Sequence, residues 1–243
     1  ERSVVSPIAG TTIDPVDETI QYKDKKLTFV DTAGIRKRSR VEGIERYALI
    51  RSKELLEQAN IALLVLDCSE PFNELDERIA GLLKDNKLGV IIVLNKYDIR
   101  MEEEHQEIID DIRYRFKFLA YAPIITISAL SGKRAHKIND LILEVYDRYC
   151  TRLRTSEFNN LLRYAFSRHH IPSDKGKVVK IYYGTQYATK PPQFALICNR
   201  PESLHFSYLR YLENRIREVI DLEGSPVVLS VRDKNQKKKD AKK

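Results

Sequence analysis

Three short strings of polar and small residues follow one another along this 243-residue chain: Asp31-Thr32-Ala33-Gly34, Asn95-Lys96-Tyr97-Asp98 and Ser128-Ala129-Leu130. Each closes an apolar run, and each suits one part of a purine nucleotide. An Asp at the carboxyl end of a buried strand can hold a magnesium ion through water, and such strand ends are where α/β sheets bind ligands. Gly34 lets its backbone N–H come close to a terminal phosphate that a side chain would obstruct. The Asp98 carboxylate can accept both the ring N–H and the exocyclic amine of guanine, a pair of donors that adenine does not offer. The stem of Lys96 can lie over the base. Asn95 can tie neighbouring loops together, and the backbone N–H groups of Ser128-Ala129-Leu130 can approach the guanine carbonyl. Upstream, Gly10-Thr11-Thr12 offers a hydroxyl that can coordinate magnesium and sense a γ-phosphate. Thr12 is the chosen ligand beside Asp31, with Thr11 the alternative. No residue is assigned a catalytic role.

One component is missing from this set. A Gly-x-x-x-x-Gly-Lys-[Ser/Thr] phosphate loop occurs nowhere in the 243 residues. Gly132-Lys133 is followed by Arg134 and Gly176-Lys177 by Val178, so neither has the hydroxyl residue that such a loop needs.

The elements that must position these residues alternate apolar runs with amphipathic stretches, the pattern of a mostly parallel α/β sheet. Strands are predicted at Glu18–Tyr22, Lys26–Asp31, Ile61–Asp67, Val90–Asn95 and Ile124–Ser128. Helices are predicted at Glu45–Gln58, Glu74–Asn86, Glu103–Phe118 and Ile138–Thr151, with Asn73 and Asn139 placed to cap. After about Arg154 the order changes to helix Ser156–Ser167, strands Lys177–Tyr183 and Gln193–Asn199, a helix from Ser203 to Ile220, and a strand Pro226–Arg232. Glu223-Gly224-Ser225-Pro226 reads as a turn. This second part is an αββαβ unit, with its sheet on one side and helices on the other. The division expected is 1–152, 153–232 and a disordered basic tail 233–243.

Charge divides along the same line. Residues 1–150 hold 23 Lys+Arg against 26 Asp+Glu, and residues 151–243 hold 19 against 9, so the net +7 sits entirely in the second part. That asymmetry points to a polyanion as partner of the basic half. Cys68, Cys150 and Cys198 lie far apart in neither disulfide nor metal spacing, which fits a cytoplasmic setting. The longest apolar runs fall far short of the ~20 residues a membrane helix needs, so no membrane partner is expected.

Ala9-Gly-Thr-Thr12, Asp31-Thr-Ala-Gly-Ile35, Asn95-Lys-Tyr-Asp98, Tyr208-Leu-Arg-Tyr-Leu-Glu-Asn214 and Leu222-Glu-Gly-Ser-Pro226 together resemble the EngA (Der) family. Its members carry two tandem G domains and a carboxyl-terminal KH-like domain and act in assembly of the large ribosomal subunit. The resemblance is to the second G domain and the KH-like domain. It implies a P-loop GTPase-type sheet lacking its phosphate-loop strand in this chain, followed by a small α+β KH-like unit.

It also implies GTP and GDP as ligands, magnesium, hydrolysis of GTP, and ribosomal RNA of the large subunit as partner, with the protein a monomer. Asp31 and Gly34 would then meet magnesium and γ-phosphate, with Thr32, Ala33 and Ile35 beside them. Asn95, Lys96, Tyr97 and Asp98 would meet the base. Ile35 cannot orient an attacking water, and families with an apolar residue there often recruit potassium. The KH signature loop Gly-x-x-Gly is absent after Arg154, so no RNA contact is assigned to a particular residue.

In GTPase sheets the phosphate-loop strand is expected between the strands ending in Asp31 and Asn95, and its loss would bare unpaired edges. The chain is accordingly expected to be a fragment, with a strand and phosphate loop shortly before Glu1. The alternatives are a non-catalytic RNA-binding fragment with a degenerate G-like scaffold, or another KH-bearing GTPase with a single G domain.

Overall fold

The computed structural model describes residues 17–30, 55–174 and 176–234. Thr12 and Asp31 to Ile35 lie outside these residues, as does the helix expected over 45–58 except for residues 55–58, which are helical.

The first unit contains two sheets. Strands β1 (Asp17–Tyr22) and β2 (Lys25–Val30) form an antiparallel hairpin. Strands β3 (Ile61–Asp67), β4 (Gly89–Asn95) and β5 (Ile124–Thr126) form a parallel sheet in that order. Between them run helices α1 (Glu74–Asp85) and α2 (His105–Arg115), and α3 (Lys137–Tyr149) follows β5. Strand β4 is buried over six consecutive residues from Gly89 to Leu94, as a strand covered on both faces must be. On one face Val90, Ile92 and Leu94 meet Ala80 and Leu83 of α1 and Ile112 of α2. On the other, Ile91 and Val93 meet Ile142 and Val145 of α3, and Leu27 and Phe29 of β2 pack against the same cluster. Each fully buried aliphatic side chain contributes roughly 1.5–3 kcal/mol.

Sequence and structure differ on what flanks the Asn95 strand. β4 is paired on both sides, by β3 and by β5, and has no free edge for a further strand. Among the described residues the hairpin shares the core with β3 but no ladder with it, so the open position in the sheet lies between β2 and β3. The polar tip of the hairpin is held to α3 instead: Tyr22 Oη and Lys23 Nζ both donate to Asp140 Oδ1, at 2.9 and 2.7 Å.

Asn73 caps α1 as predicted, accepting from the N–H groups of Leu75 and Asp76 while Asp76 accepts from Asn73 N–H. Such a cap stabilises a helix by ~1 kcal/mol. Asn139 does not cap α3. Successive tight turns, with Ala135 N–H on Gly132 O, Lys137 N–H on Arg134 O and Ile138 N–H on Ala135 O, lead into the helix, which begins at Lys137, one residue before the predicted Ile138. The helix predicted over 103–118 is α2 flanked by single 3-10 turns. Phe116 leaves helical geometry (φ −100°, ψ 34°) so that Phe116 and Leu119 can enter the core. β5 stops at Thr126, because Ser128 pairs with Lys133 across the following loop.

The second unit is the predicted αββαβ arrangement: α4 (Thr155–Arg168), β6 (Ile181–Ala188), β7 (Gln193–Cys198), α5 (Phe206–Val219) and β8 (Val228–Asp233). β6 runs antiparallel and β8 parallel to β7. Phe158, Leu161 and Leu162 of α4 and Leu212 and Ile216 of α5 bury Phe194, Leu196 and Cys198 from one side. β6 begins four residues later than the strand expected at Lys177. The Asp174–Lys177 turn closes that stretch, and the Asn199 side chain accepts from Lys180 N–H and donates to Val178 O where a ladder would otherwise form.

The predicted turn at Gly224 joins the two units. Gly224 O accepts from Val90 N–H at 2.8 Å, and Gly224 N–H donates to Tyr121 O at 2.7 Å. The residue has φ +78°, and a Cβ there would lie 2.4 Å from Val145 Cγ2, so the close approach requires glycine. Around it Arg217 donates to Leu222 O and Ser225 O with its guanidinium over the Tyr121 ring, and Arg148 pairs with Asp221 at 2.8 Å. The second unit thus meets the amino end of β4, and the carboxyl end with Asn95 is left open at the opposite side. No helix among the described residues is long and apolar enough to cross a membrane.

Candidate functional site

Parallel pairing sets the site. Asp67 is in register with Asn95, and Leu94 with Thr126, so the chain leaves β3, β4 and β5 at one edge of the sheet. Three loops meet there. The Asn95 side chain lies between two of them: Oδ1 accepts from Lys96 N–H at 2.8 Å and from Ala129 N–H at 3.0 Å. Tyr97 N–H donates to Ile127 O at 3.1 Å. The 95–98 and 128–130 strings, 33 residues apart in sequence from Asn95 to Ser128, are therefore one surface.

Lys96 adopts a left-handed conformation (φ 59°), which turns the chain sharply out of β4 into a 3-10 turn over Tyr97–Ile99. The Tyr97 ring is stacked on His105 at the start of α2, with centroids 4.0 Å apart. Asp98 is exposed and has no hydrogen bond or ion pair among the described residues. Among the described residues no donor competes for its acceptor lone pairs. Ser128 is buried, and its Oγ accepts from Ser131 N–H at 3.4 Å. Ala129 is exposed and the Leu130 side chain is 98% exposed, so in this loop the backbone is the part shaped for contact.

The third loop was not singled out from sequence. Asp67 Oδ2 lies 2.8 Å from Lys96 Nζ, and Oδ1 accepts from the N–H and hydroxyl of Ser69 at 2.8 and 2.5 Å. Partial burial alone would raise the Asp67 pKa, but the Lys96 ammonium and the two Ser69 donors outweigh it and bring it down to about 2. The same contact raises the pKa of Lys96. Arg100 Nε fixes the neighbouring turn by donating to Cys68 O at 2.6 Å, and Cys68 N–H donates to Asn95 O at 3.0 Å. Burial pushes the Cys68 thiol up to about 11, so it stays protonated near neutrality. The sequence signal for Asp67 was a carboxylate ending an apolar run, the same signal that marked Asp31.

This edge brings together the exposed Asp98 carboxylate, unbonded among the described residues, the Lys96 stem and, in the facing loop, Ala129. The proposed magnesium ligands Thr12 and Asp31 lie outside the described residues, among which no cluster of three His, Cys, Asp or Glu occurs.

Comparison with known proteins places this geometry in a family. Residues 152–232 match the model described as the KH-domain-like, C-terminal part of EngA bacterial GTPase enzymes, and residues 1–96 match that of the 50S ribosome-binding GTPase. GTPase Der of Sulfurimonas denitrificans is 54% identical over 237 residues, covering 98% of this chain and 48% of that protein. GTPase Der of Campylobacter fetus subsp. fetus is 58% identical over 237 residues, covering 98% and 51%. The chain thus spans about half the length of the curated relatives it matches. Aquifex aeolicus Era bound to GDP·AlF4− superposes with a TM-score of 0.52 at 23% identity, over 95% of this chain and 84% of that one. An Era complex with MgGDPNP and nucleotides 1506–1542 of 16S ribosomal RNA gives the same figures. These last two likenesses show the fold alone. With both halves matched and relatives above 50% identity along nearly its whole length, the chain belongs to the EngA (Der) family of GTPases.

Proposed function

We propose that this chain carries the guanine-selecting part of a protein that binds and hydrolyses GTP, and that its basic half docks on ribosomal RNA during assembly of the large ribosomal subunit. The observation that carries the nucleotide reading is the Asn95 amide oxygen, which joins the two loops beside the exposed Asp98, unbonded among the described residues. Within this reading residues 1–152 form the GTPase domain and 153–232 the KH-like domain. Of the basic tail expected over 233–243, Asp233 instead closes β8 and Lys234 follows it, while residues 235–243 lie outside the described residues. Asn95 to Asp98 and Ser128 to Leu130 meet the guanine, Asp31 to Ile35 meet the phosphates, and Thr12 with Asp31 holds magnesium.

The open position between β2 and β3 supports a further strand there, bearing the phosphate loop that these 243 residues lack. The large-subunit partner is supported by the description of the family model matched by residues 1–96. The charge of the second half supports RNA. Cytoplasmic location and a monomeric state complete the reading; light scattering at micromolar concentration checks the latter. The test of nucleotide choice is displacement of a fluorescent guanine nucleotide from the protein carrying its phosphate loop. GTP and GDP are expected to compete and ATP to fail, whereas equal competition by ATP would sink the reading. Co-sedimentation with isolated ribosomal subunits tests the partner, and preference for the small subunit would count against it.

A second reading, a non-catalytic RNA-binding module on a G-like scaffold, is favoured by the missing phosphate loop in these residues. A Gly-x-x-x-x-Gly-Lys-[Ser/Thr] in the preceding sequence of the same gene product would exclude it.

A further inference from the structure

Among the described residues, helices cover the sheet of the second unit on one side only. Alternation puts Phe194, Leu196 and Cys198 of β7 under α4 and α5, which leaves Gln193, Ala195 and Ile197 on the other face. Register then aligns Tyr183 with Ile197 and Arg232, and Thr185 with Ser230 and the buried Ala195, across the face away from the helices. Tyr187 belongs to it too, because its hydroxyl donates to Gln193 Oε1 at 3.1 Å and the Arg232 guanidinium lies 4.5 Å over its ring. Tyr182, beside the register shift in β6, lies between two more cations, with Lys234 Nζ at 4.5 Å and Lys180 Nζ at 5.7 Å from its ring centre. The three tyrosines are 42%, 49% and 41% exposed. A tyrosine row on an open sheet is unusual for a surface serving only to dissolve the protein, since it leaves aromatic area in water.

We propose that this face of β6-β7-β8 is a stacking platform for single-stranded RNA. Tyr183 and Tyr187 take successive bases, Arg232 stacks or reaches phosphate, and Lys180 and Lys234 carry the backbone past Tyr182. Bases of any sequence stack on exposed rings, and planar guanidinium groups extend the stack. The flow of charge agrees with this occupant: β8 brings Arg232 and Lys234 to the tyrosines, and the sequence continues directly into Lys237, Lys238, Lys239, Lys242 and Lys243. The acidic side chain on β8, Asp233, alternates to the opposite side from Arg232 and has a partner of its own. The platform also answers how a KH-like unit without a Gly-x-x-Gly loop could hold RNA, by rings on its sheet in place of a backbone clamp. It rests on the RNA reading above and names the surface and the strand type.

The test is fluorescence anisotropy of a labelled twelve-residue oligouridylate with the 243-residue chain across a salt series. Tyr183→Ala and Tyr187→Ala are each expected to weaken binding roughly ten-fold at fixed salt without changing the salt slope. Arg232→Ala is expected to flatten that slope by about 0.7. Tyr183→Leu, which keeps apolar area and removes the ring, guards against a folding effect and should weaken binding as the alanine does. Tyr164→Ala, on the helical side, should bind like the parent. Parental affinity in both Tyr183 and Tyr187 variants would overturn the platform while leaving RNA binding intact. So would loss of binding in the Tyr164 variant alone, or competition by polyglutamate that the tyrosine variants do not alter, which would mark a surface for an acidic protein. Absence of any salt-dependent binding by the parent chain would overturn the RNA reading itself.

Discussion

Lys96 Nζ lies 2.8 Å from Asp67 Oδ2, an ion pair that joins the loop after β3 to the loop after β4. The stem of Lys96 is thereby held at the site edge by a carboxylate outside the Asn-Lys-x-Asp string. Parallel register makes this possible, since Asp67 and Asn95 end their strands side by side.

Replacing Asp67 by Asn should separate positioning from stability. Lys96 is half exposed, so solvent screening leaves the pair little weight in folding. Guanine-nucleotide affinity should nevertheless fall several-fold as the lysine stem loses its anchor. The pH dependence has a defined sign. The Asp67 pKa is depressed in the folded state, so its contribution is complete above the unfolded-state value near 4 and disappears as pH falls toward about 2. Acid titration of thermal stability should show a shallower loss between pH 4 and 2 in Asp67→Asn than in the parent.

Asp98→Asn should change which base is selected. The amide donates where the carboxylate accepted, so GTP affinity should drop by on the order of 100-fold, the scale of losing a charged, paired acceptor. Xanthine nucleotide, whose edge presents an acceptor there, should gain. Unchanged GTP affinity by fluorescence titration would remove Asp98 from the site.

Gly224→Ala addresses the joint between the units. The added methyl meets Val145 at 2.4 Å in a left-handed backbone conformation, and both hydrogen bonds to Val90 and Tyr121 depend on that approach. A loss of about 2–4 kcal/mol in urea unfolding is expected from overpacking and backbone strain together. Val145→Ala added to it should recover part of that loss, whereas additive damage would mean the overlap is not the cause.

Ile35 makes potassium a candidate helper in hydrolysis, because isoleucine cannot hydrogen-bond the attacking water. GTP turnover by the protein with its phosphate loop should be several-fold faster in potassium than in sodium chloride. Equal rates would leave Ile35 without this explanation.

Much of the fold was legible as runs of apolar residues with polar ends. β3 matches its predicted limits and β4 lies within a residue of them, because a strand buried on both faces leaves a continuous signature. Where short side chains rewrite local hydrogen bonding, as Asn199 does beside Lys180 or the turns around Arg134 do before α3, the boundaries moved. These choices depend on partners distant in sequence or on left-handed turns that propensity does not report. The strings at 95–98 and 128–130 were likewise readable one by one, as strand ends with chemistry.

By itself, then, the sequence determined the residue types at the strand ends, the order of the elements, the charge of each half and the family. Tertiary structure alone decided that Asn95 bonds to Ala129, that Asp67 holds Lys96, that Gly224 fastens the second unit to β4, and that three tyrosines share a face with Arg232 and Lys234. The physical reason is that composition and periodicity report burial, which each residue carries with it. Register and close packing are properties of pairs, and they exist only once the strands have been set side by side.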